Sequence, residues 1–208
     1  MLSEQERWDA LAAAFGTLGR LHRQSPDRET LAALRGLLDE WPLPHTDDAR
    51  AGLDRMRRSA ELHETVEAIR SDHDRLYGVS ATAAVAPYES VQRGIDRLVF
   101  DQETHVVRAV YRRFGLSAPN LHREPDDHIG LEFDFVAHLM LRVLDEVSRD
   151  PGDPQVPLSA ARAFLDEHLL MWAPAMLAEA VSLAHTEFMA GVALLSRGAL
   201  ESADATIR

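Results

Sequence analysis

Apolar side chains recur every three or four positions along most of this 208-residue chain, a period that fits helices and not strands. Trp8, Leu11, Phe15 and Leu18 share one helical face behind Ser3 and Glu6, the two ends of a capping box, and the glycines at 16 and 19 mark where that helix should end. Ser25 is read as the cap of a second helix, with Pro26 in its first position and Leu31, Leu34 and Leu38 on its stripe, until "WPLPH" stops it. Thr46 caps a third segment bearing Leu53 and Met56. "ELHETVEAIRSDHDRLYG" then carries Leu62, Val66, Ile69 and Leu76 inward as far as Gly78, and the sequence leaves open whether these two segments join.

"VSATAAVAPYESV" breaks the period with Pro87 and small residues. It returns in "DQETHVVRAVYRRFGL" through Val106, Val110 and Phe114, with Gly115 at the C-terminal end. A helix from about Asp127 to Val147 follows and is closed by "RDPGDPQVP". Ser159 caps another helix through Leu170, Pro174 kinks or stops it, and "APAMLAEAVSLAHTEFMAGVALL" supplies the last long helix. No period-2 run of β-branched residues competes anywhere. The expected fold class is therefore all-α, a single-domain helical bundle over residues 1–208. Its N-terminal and C-terminal helical groups are joined by an irregular segment at about 78–90, and its tail is frayed at about 201–208.

The residue types that are absent narrow the chemistry. Without cysteine there are no disulfides, thiolate nucleophiles or Cys-type metal sites, and without lysine there is no Schiff base and no phosphate-binding lysine. No glycine-rich phosphate loop appears, so no cofactor is expected. A formal net charge of −12 repels nucleic acid and attracts basic partners. No apolar run approaches the roughly 18 to 20 residues that span a bilayer, so no stable membrane insertion is expected. "MLSEQERWDALAAAFG" has neither a basic nor an apolar leader region, which implies a cytoplasmic protein.

The stretch "REPDDHIGLEFDFVAHL" at 123–139 concentrates carboxylates around the start of an apolar helix. At about 100° per residue, Ile129, Phe133, Val136, Met140, Val143, Leu144 and Val147 fall in one arc of roughly 120°, and Asp127, Asp134, His138, Arg142 and Asp145 lie opposite. Glu132 lands inside the apolar arc beside Leu139 and Val143, where a carboxylate must be hydrogen-bonded, paired or facing a groove. Asp126 or Asp127 would cap the helix and complement its dipole, with Pro125 setting the approach. His128 and Glu132, four apart and close to Glu124, Asp126 and Asp127, also have the spacing of metal ligands, although the paired Glu-x-x-His motifs of a di-metal bundle are missing.

Taken with "LYG" at 76–78, "APYESV" at 86–91, "YRRFGL" at 111–116 and "FLDEHLLMWAPAM" at 164–176, the block "EPDDHIGLEFDFVAHL" resembles the TorD/DmsD/NarJ family of cytoplasmic molybdoenzyme maturation chaperones. The matches run in order over roughly residues 60 to 180. The resemblance implies a TorD-like all-helical protein that is not an enzyme. It implies binding of the twin-arginine signal peptide and apo form of a molybdopterin-containing oxidoreductase, assistance with cofactor insertion, and prevention of premature export through the Tat pathway. The signal-peptide-binding residues it implies are Leu76, Tyr77, Pro87, Tyr88, Ser90, Glu124, Pro125, Asp127 and His128, with Glu132 as an additional groove residue. The family often has aromatics where this chain has Gln92 and His73. Guanidinium groups pair with carboxylates and an apolar peptide segment needs a groove, so residue chemistry and resemblance point the same way. The alternatives are a metal-dependent hydrolase built on the His/Glu/Asp cluster and a helical scaffold or regulatory protein. A monomer and a domain-swapped dimer are both compatible with the sequence.

Overall fold

Short polar side chains set most of the helix starts. The structure, a computed structural model, describes residues 2–78, 83–121 and 123–207. Helix α1, Glu4–Arg23, opens on the expected capping box: the Ser3 hydroxyl accepts from the Glu6 N–H while the Glu6 carboxylate accepts from the Ser3 N–H. Asp27 caps α2, Arg28–Gly36. Thr46 caps α3, Asp47–Glu61, and Thr65 caps α4, Val66–Tyr77. α5 is the single turn Glu89–Arg93, and α6, Gln102–Arg113, ends at Phe114 before Gly115 at φ +69°. α7 is Ile129–Val147 and α8 is Gln155–Phe164. A π-helical turn at Leu165–Leu169 leads into α9, Leu170–Leu183, and Thr186 caps α10, Glu187–Thr206. The fold is all-α. Among the described residues there is no strand, only one isolated antiparallel bridge between Tyr88 and His128.

Several expected boundaries move, each for a local physical reason. α1 does not end at its glycines but runs four residues past Gly19, because those glycines serve packing. A Cβ on Gly19 would lie 2.8 Å from the Gly130 carbonyl, and one on Gly130 would lie 2.5 Å from the Gly19 carbonyl, so α1 and α7 cross backbone to backbone. The α3–α10 pair repeats the device: a Cβ on Gly52 or Gly191 would lie 3.1 Å from the other glycine's carbonyl. α2 starts at Asp27 rather than Ser25, since the Asp27 carboxylate accepts from the Thr30 N–H at 2.8 Å. α8 starts at Gln155 rather than behind Ser159, because prolines at 154 and 157 fit a first helical turn that has no use for their missing N–H groups. α9 runs through Pro174, whose ring faces solvent.

Segments 46–61 and 66–77 are separate helices. The turn between them passes through His63 at φ +53° and leaves Leu62 57% exposed instead of inward. The final long helix is also divided, at residues 184–186, by groups distant in sequence. Asp72 accepts from the N–H groups of His185 and Thr186 and from the Thr186 hydroxyl, and Glu64 accepts from the N–H groups of Glu187 and Phe188. The tail is ordered helix to Thr206 with Ile207 buried, held by Arg162 on Asp204 and the Ile207 carbonyl. On α6 the inward face carries Val107 and Tyr111, while Val106 is 44% exposed and Val110 and Phe114 are half-buried.

One continuous apolar cluster runs from Ala10 on α1 to Ile207. Its centre is aromatic: Phe15 stacks on Phe133 at 4.7 Å, and Phe135 packs between Tyr111 at 4.7 Å and Phe164 at 4.8 Å. Each such fully buried ring contributes roughly 1.5–3 kcal/mol. No described helix is long and apolar enough to cross a membrane. Part of the segment expected to be irregular, residues 79–82, lies outside the described residues.

The glycine crossing makes a test. Gly19→Ala should destabilise the protein by about 1–3 kcal/mol through overpacking. Gly36→Ala, at a helix end with nothing within 4 Å of the added methyl, should be neutral or stabilising by up to about 1 kcal/mol. Urea unfolding of the two variants reads the difference, and equal effects would contradict the close crossing.

Candidate functional site

Thr104, Arg108 and Tyr111 follow one another at i, i+4 and i+7, on a single face of α6, and all three reach the turn before α7. The Arg108 guanidinium donates through two nitrogens to Asp126 Oδ2, at 3.0 and 2.6 Å. The Tyr111 hydroxyl donates to the Asp126 carbonyl at 3.2 Å, and the Thr104 hydroxyl to Asp127 Oδ1 at 2.6 Å. Asp127 Oδ2 accepts from the Ser90 N–H at 2.7 Å, the Asp127 carbonyl from the Glu89 N–H at 3.0 Å, and the Pro87 carbonyl from the Ile129 N–H at 2.9 Å. Residues 87–90 are thereby tied antiparallel to residues 126–129.

Asp126 and Asp127 have no exposed surface, so neither faces solvent, and neither caps α7. His128 is the cap: its Nδ1 accepts from the Gly130 N–H at 3.0 Å. That bond needs a lone pair on Nδ1 and therefore a neutral ring. Burial, with Arg23 and His73 nearby, holds the His128 pKa down to about 3. The Tyr88 ring stands edge-on to the imidazole at 5.2 Å, and burial together with Glu124 and Asp127 raises its hydroxyl's pKa.

These segments form one side of an open groove of about 930 Å³. Tyr77, Pro87, Tyr88, Glu124, Pro125 and His128 line it, bringing together six of the nine residues singled out from sequence, from three separate segments. Leu76, Ser90 and Asp127 do not line it. They are fully buried behind the wall, where Ser90 and Asp127 hold it together. The carboxylates that do line the groove are Asp74 and Glu124, so most of the acid around residues 124–134 is internal structure rather than a rim. Sequence reasoning missed Arg23, Asp74, Asn120 and Arg123, and also the segment Arg97, Leu98, Val99 and Phe100. The last of these carried a signal in "RLVF", four residues from a region without helical period.

Glu132 lies where the helical wheel put it, in the apolar face of α7, with no exposed surface. Its Oε2 accepts from the Trp172 indole N–H at 3.3 Å, and its Oε1 has no hydrogen-bond partner among the described residues. An ionised carboxylate so poorly solvated is costly. Burial first, then the Glu89 and Asp127 carboxylates, push its pKa well above the ordinary range. Glu89 in turn accepts from His168 Nδ1 at 2.8 Å on one oxygen and pairs with Arg93 on the other, joining α5 to the π-helical turn. Glu132 does not line the groove. His128 and Glu132 serve separate partners, and no three His, Asp or Glu side chains among the described residues are placed to share a metal.

Residues 44–178, well over half of the chain, match the family described as nitrate reductase delta subunit. The chain belongs to this TorD/NarJ family of maturation chaperones, which are not enzymes. It is 26% identical over 148 residues to the chaperone protein TorD of Photobacterium profundum, covering 63% of this chain and 68% of that one. It is 24% identical over 147 residues to the Vibrio cholerae chaperone protein TorD, covering 71% and 64%. Against the Aliivibrio fischeri protein of the same name it is 28% identical over 101 residues, covering 49% and 46%.

The buried acids give two expected outcomes. A folded pKa raised above the unfolded one means that stability is greatest below the ordinary carboxylate range and falls as pH rises toward the folded value. Glu132→Gln removes that fall while keeping an acceptor for Trp172, so its stability relative to the parent should increase steadily as urea unfolding is measured from about pH 5 to pH 8. A parallel pair of curves would mean that Glu132 is ionised in the fold. Arg108→Met, which leaves Asp126 unpaired and buried, should cost about 3–5 kcal/mol, read as the shift in the urea midpoint.

Proposed function

We propose that the groove receives the twin-arginine signal peptide of a molybdopterin-containing oxidoreductase. In this reading the chain binds the apo form of that enzyme in the cytoplasm, assists cofactor insertion and holds back Tat export until maturation is complete. The observation that carries the reading is the convergence of Tyr77, Pro87, Tyr88, Glu124, Pro125 and His128 on one groove in a chain of this chaperone family. Matches that span about two thirds of the length of the first two TorD relatives support it further.

The chemistry fits a peptide with arginines beside an apolar segment. Asp74 and Glu124 supply carboxylate acceptors for guanidinium groups, and Leu98, Val99, Phe100 and Leu131 supply apolar wall. Arg23, which lines the groove, is ion-paired to Asp134 at 3.1 Å, which offsets its charge. The Tyr77 hydroxyl is buried without a hydrogen-bond partner among the described residues. Asp127 acts from behind, by fixing the Pro87–Ser90 wall, rather than by touching the peptide.

Isothermal titration with a synthetic twin-arginine leader tests the reading. Wild type should bind with measurable heat. Glu124→Gln should weaken binding about tenfold, the value of one charge-assisted hydrogen bond of about 1.4 kcal/mol, without changing the melting temperature. Asp127→Ala should weaken binding and also destabilise the fold by about 2–3 kcal/mol, since it strands the Ser90 N–H and the Thr104 hydroxyl. Absence of binding to every such leader from the source genome would remove this function.

A further inference from the structure

A groove that takes arginines gains nothing from holding its own, yet Arg23, Arg97 and Arg123 all line this one, against the carboxylates of Asp74 and Glu124. Arg97 and Arg123 are exposed residues of non-helical segments. Arg23 is held differently. It is the last residue of α1, and a Cβ on Gly130 would lie 2.5 Å from its Cγ and 3.2 Å from its Cδ, so its stem crosses α7 at a position without a side chain. Its guanidinium donates through one nitrogen to Asp134 Oδ2 at 3.1 Å, and the two side chains are 36% and 28% exposed. Arg23 also lies close enough to the groove residue His128 to disfavour a charge on that ring.

Asp134 is built into the crossing of α1 and α7. A Cβ on Gly19 would lie 2.7 Å from its Oδ1, so the carboxylate rests against the backbone of α1 with little room to turn. Burial raises its pKa, and the Arg23 guanidinium, ahead of His138 and Arg20, opposes that rise. The pair is therefore unequal: a seated, partly desolvated acid and a cation on a long stem at the edge of an open groove. An ion pair this exposed contributes little net stability, because water competes for both partners. A second guanidinium can replace Arg23 on Asp134 at small cost, since the exchange makes one charge-assisted hydrogen bond for each one it breaks.

We propose that Arg23 is a resident competitor in the groove: in the free protein it occupies Asp134, and a guanidinium of the ligand takes its place, so that Asp134 is a third acceptor reached only by exchange. This rests on the peptide-binding reading of the groove and adds to it a residue that sets specificity. A ligand with one guanidinium is satisfied by Asp74 and Glu124 and leaves the internal pair closed. A second guanidinium in the same chain opens it, helped by the effective concentration that the first anchor provides.

Two peptides, one with two adjacent arginines and one with the second replaced by glutamine, are titrated calorimetrically into the full-length chain. Arg23→Met keeps an apolar stem over Gly130 and removes the competitor. It should bind the two-arginine peptide about three- to fivefold more tightly than wild type, the equivalent of one half-exposed ion pair, with a smaller gain for the one-arginine peptide. Arg20→Met, which removes an equal charge from the same helix outside the groove, should show neither gain. Arg23→Met/Asp134→Asn should lose the gain for the two-arginine peptide. Equal affinity of wild type and Arg23→Met for that peptide, or a gain that survives Asp134→Asn, overturns the proposal while leaving the groove reading intact. An equal gain for both peptides means that Arg23 acts only through its charge, and overturns the exchange. Binding by Arg23→Met where wild type shows none supports it. Failure of both proteins to bind either peptide removes the groove reading and this one together. Should Arg23→Met not fold, Arg23→Gln carries the same expectations.

Discussion

The arrangement of the groove depends on the internal solvation of two adjacent carboxylates. Asp126 and Asp127 are withdrawn completely from water, and their desolvation is offset by Arg108, Thr104 and the Ser90 N–H. Such a cluster tolerates little displacement, because any partner that moves leaves a charge unpaired in a low-dielectric interior. It therefore sets the distance between α6, the start of α7 and the short segment 87–90. The antiparallel contact of Tyr88 with His128 follows from that placement and presents both rings to the groove.

A second buried acid cluster secures the other side of the same wall. Glu89 joins α5 to the π-helical turn through His168 and Arg93, and Glu132 meets Trp172 where α7 faces α9. The histidine cap of α7 belongs to the same scheme. A neutral His128 leaves Asp126 and Asp127 free to turn inward instead of capping, so the groove wall is made of Tyr77, Tyr88, Pro125 and Glu124 while the charged pairs stay behind it. If the groove binds a peptide as proposed, a wall fixed in advance in this way leaves little ordering cost against binding.

The all-helical class and most helix interiors were legible because hydrophobic period is a local property. The capping box at Ser3 and Glu6, the Thr46 cap and the Gly115 terminus were legible for the same reason. The misreadings have a common cause. Gly16 and Gly19 looked like a stop because their packing partner, α7, is more than a hundred residues away. The division between α9 and α10 was invisible because Asp72 and Glu64 supply its hydrogen bonds. On α6 the apolar stripe Val106, Val110 and Phe114 was the more hydrophobic choice, yet the buried face is the one that carries Thr104 and Arg108, since only that face can solvate the acids of the following turn.

By itself the sequence determined that this protein is helical and that its chemistry excludes thiols and lysines, and it singled out the segments around Tyr77, Tyr88 and His128, which the fold brings to one groove. Tertiary structure decided which of their side chains face the groove. Glu124 and Asp127 are three residues apart and chemically alike, and only the fold separates them: one faces the groove and the other is buried in a cage of donors. The reason is that a carboxylate's role depends on what desolvates and what pairs with it, and for Asp127 those groups, Ser90 on α5 and Thr104 on α6, come from helices distant along the chain.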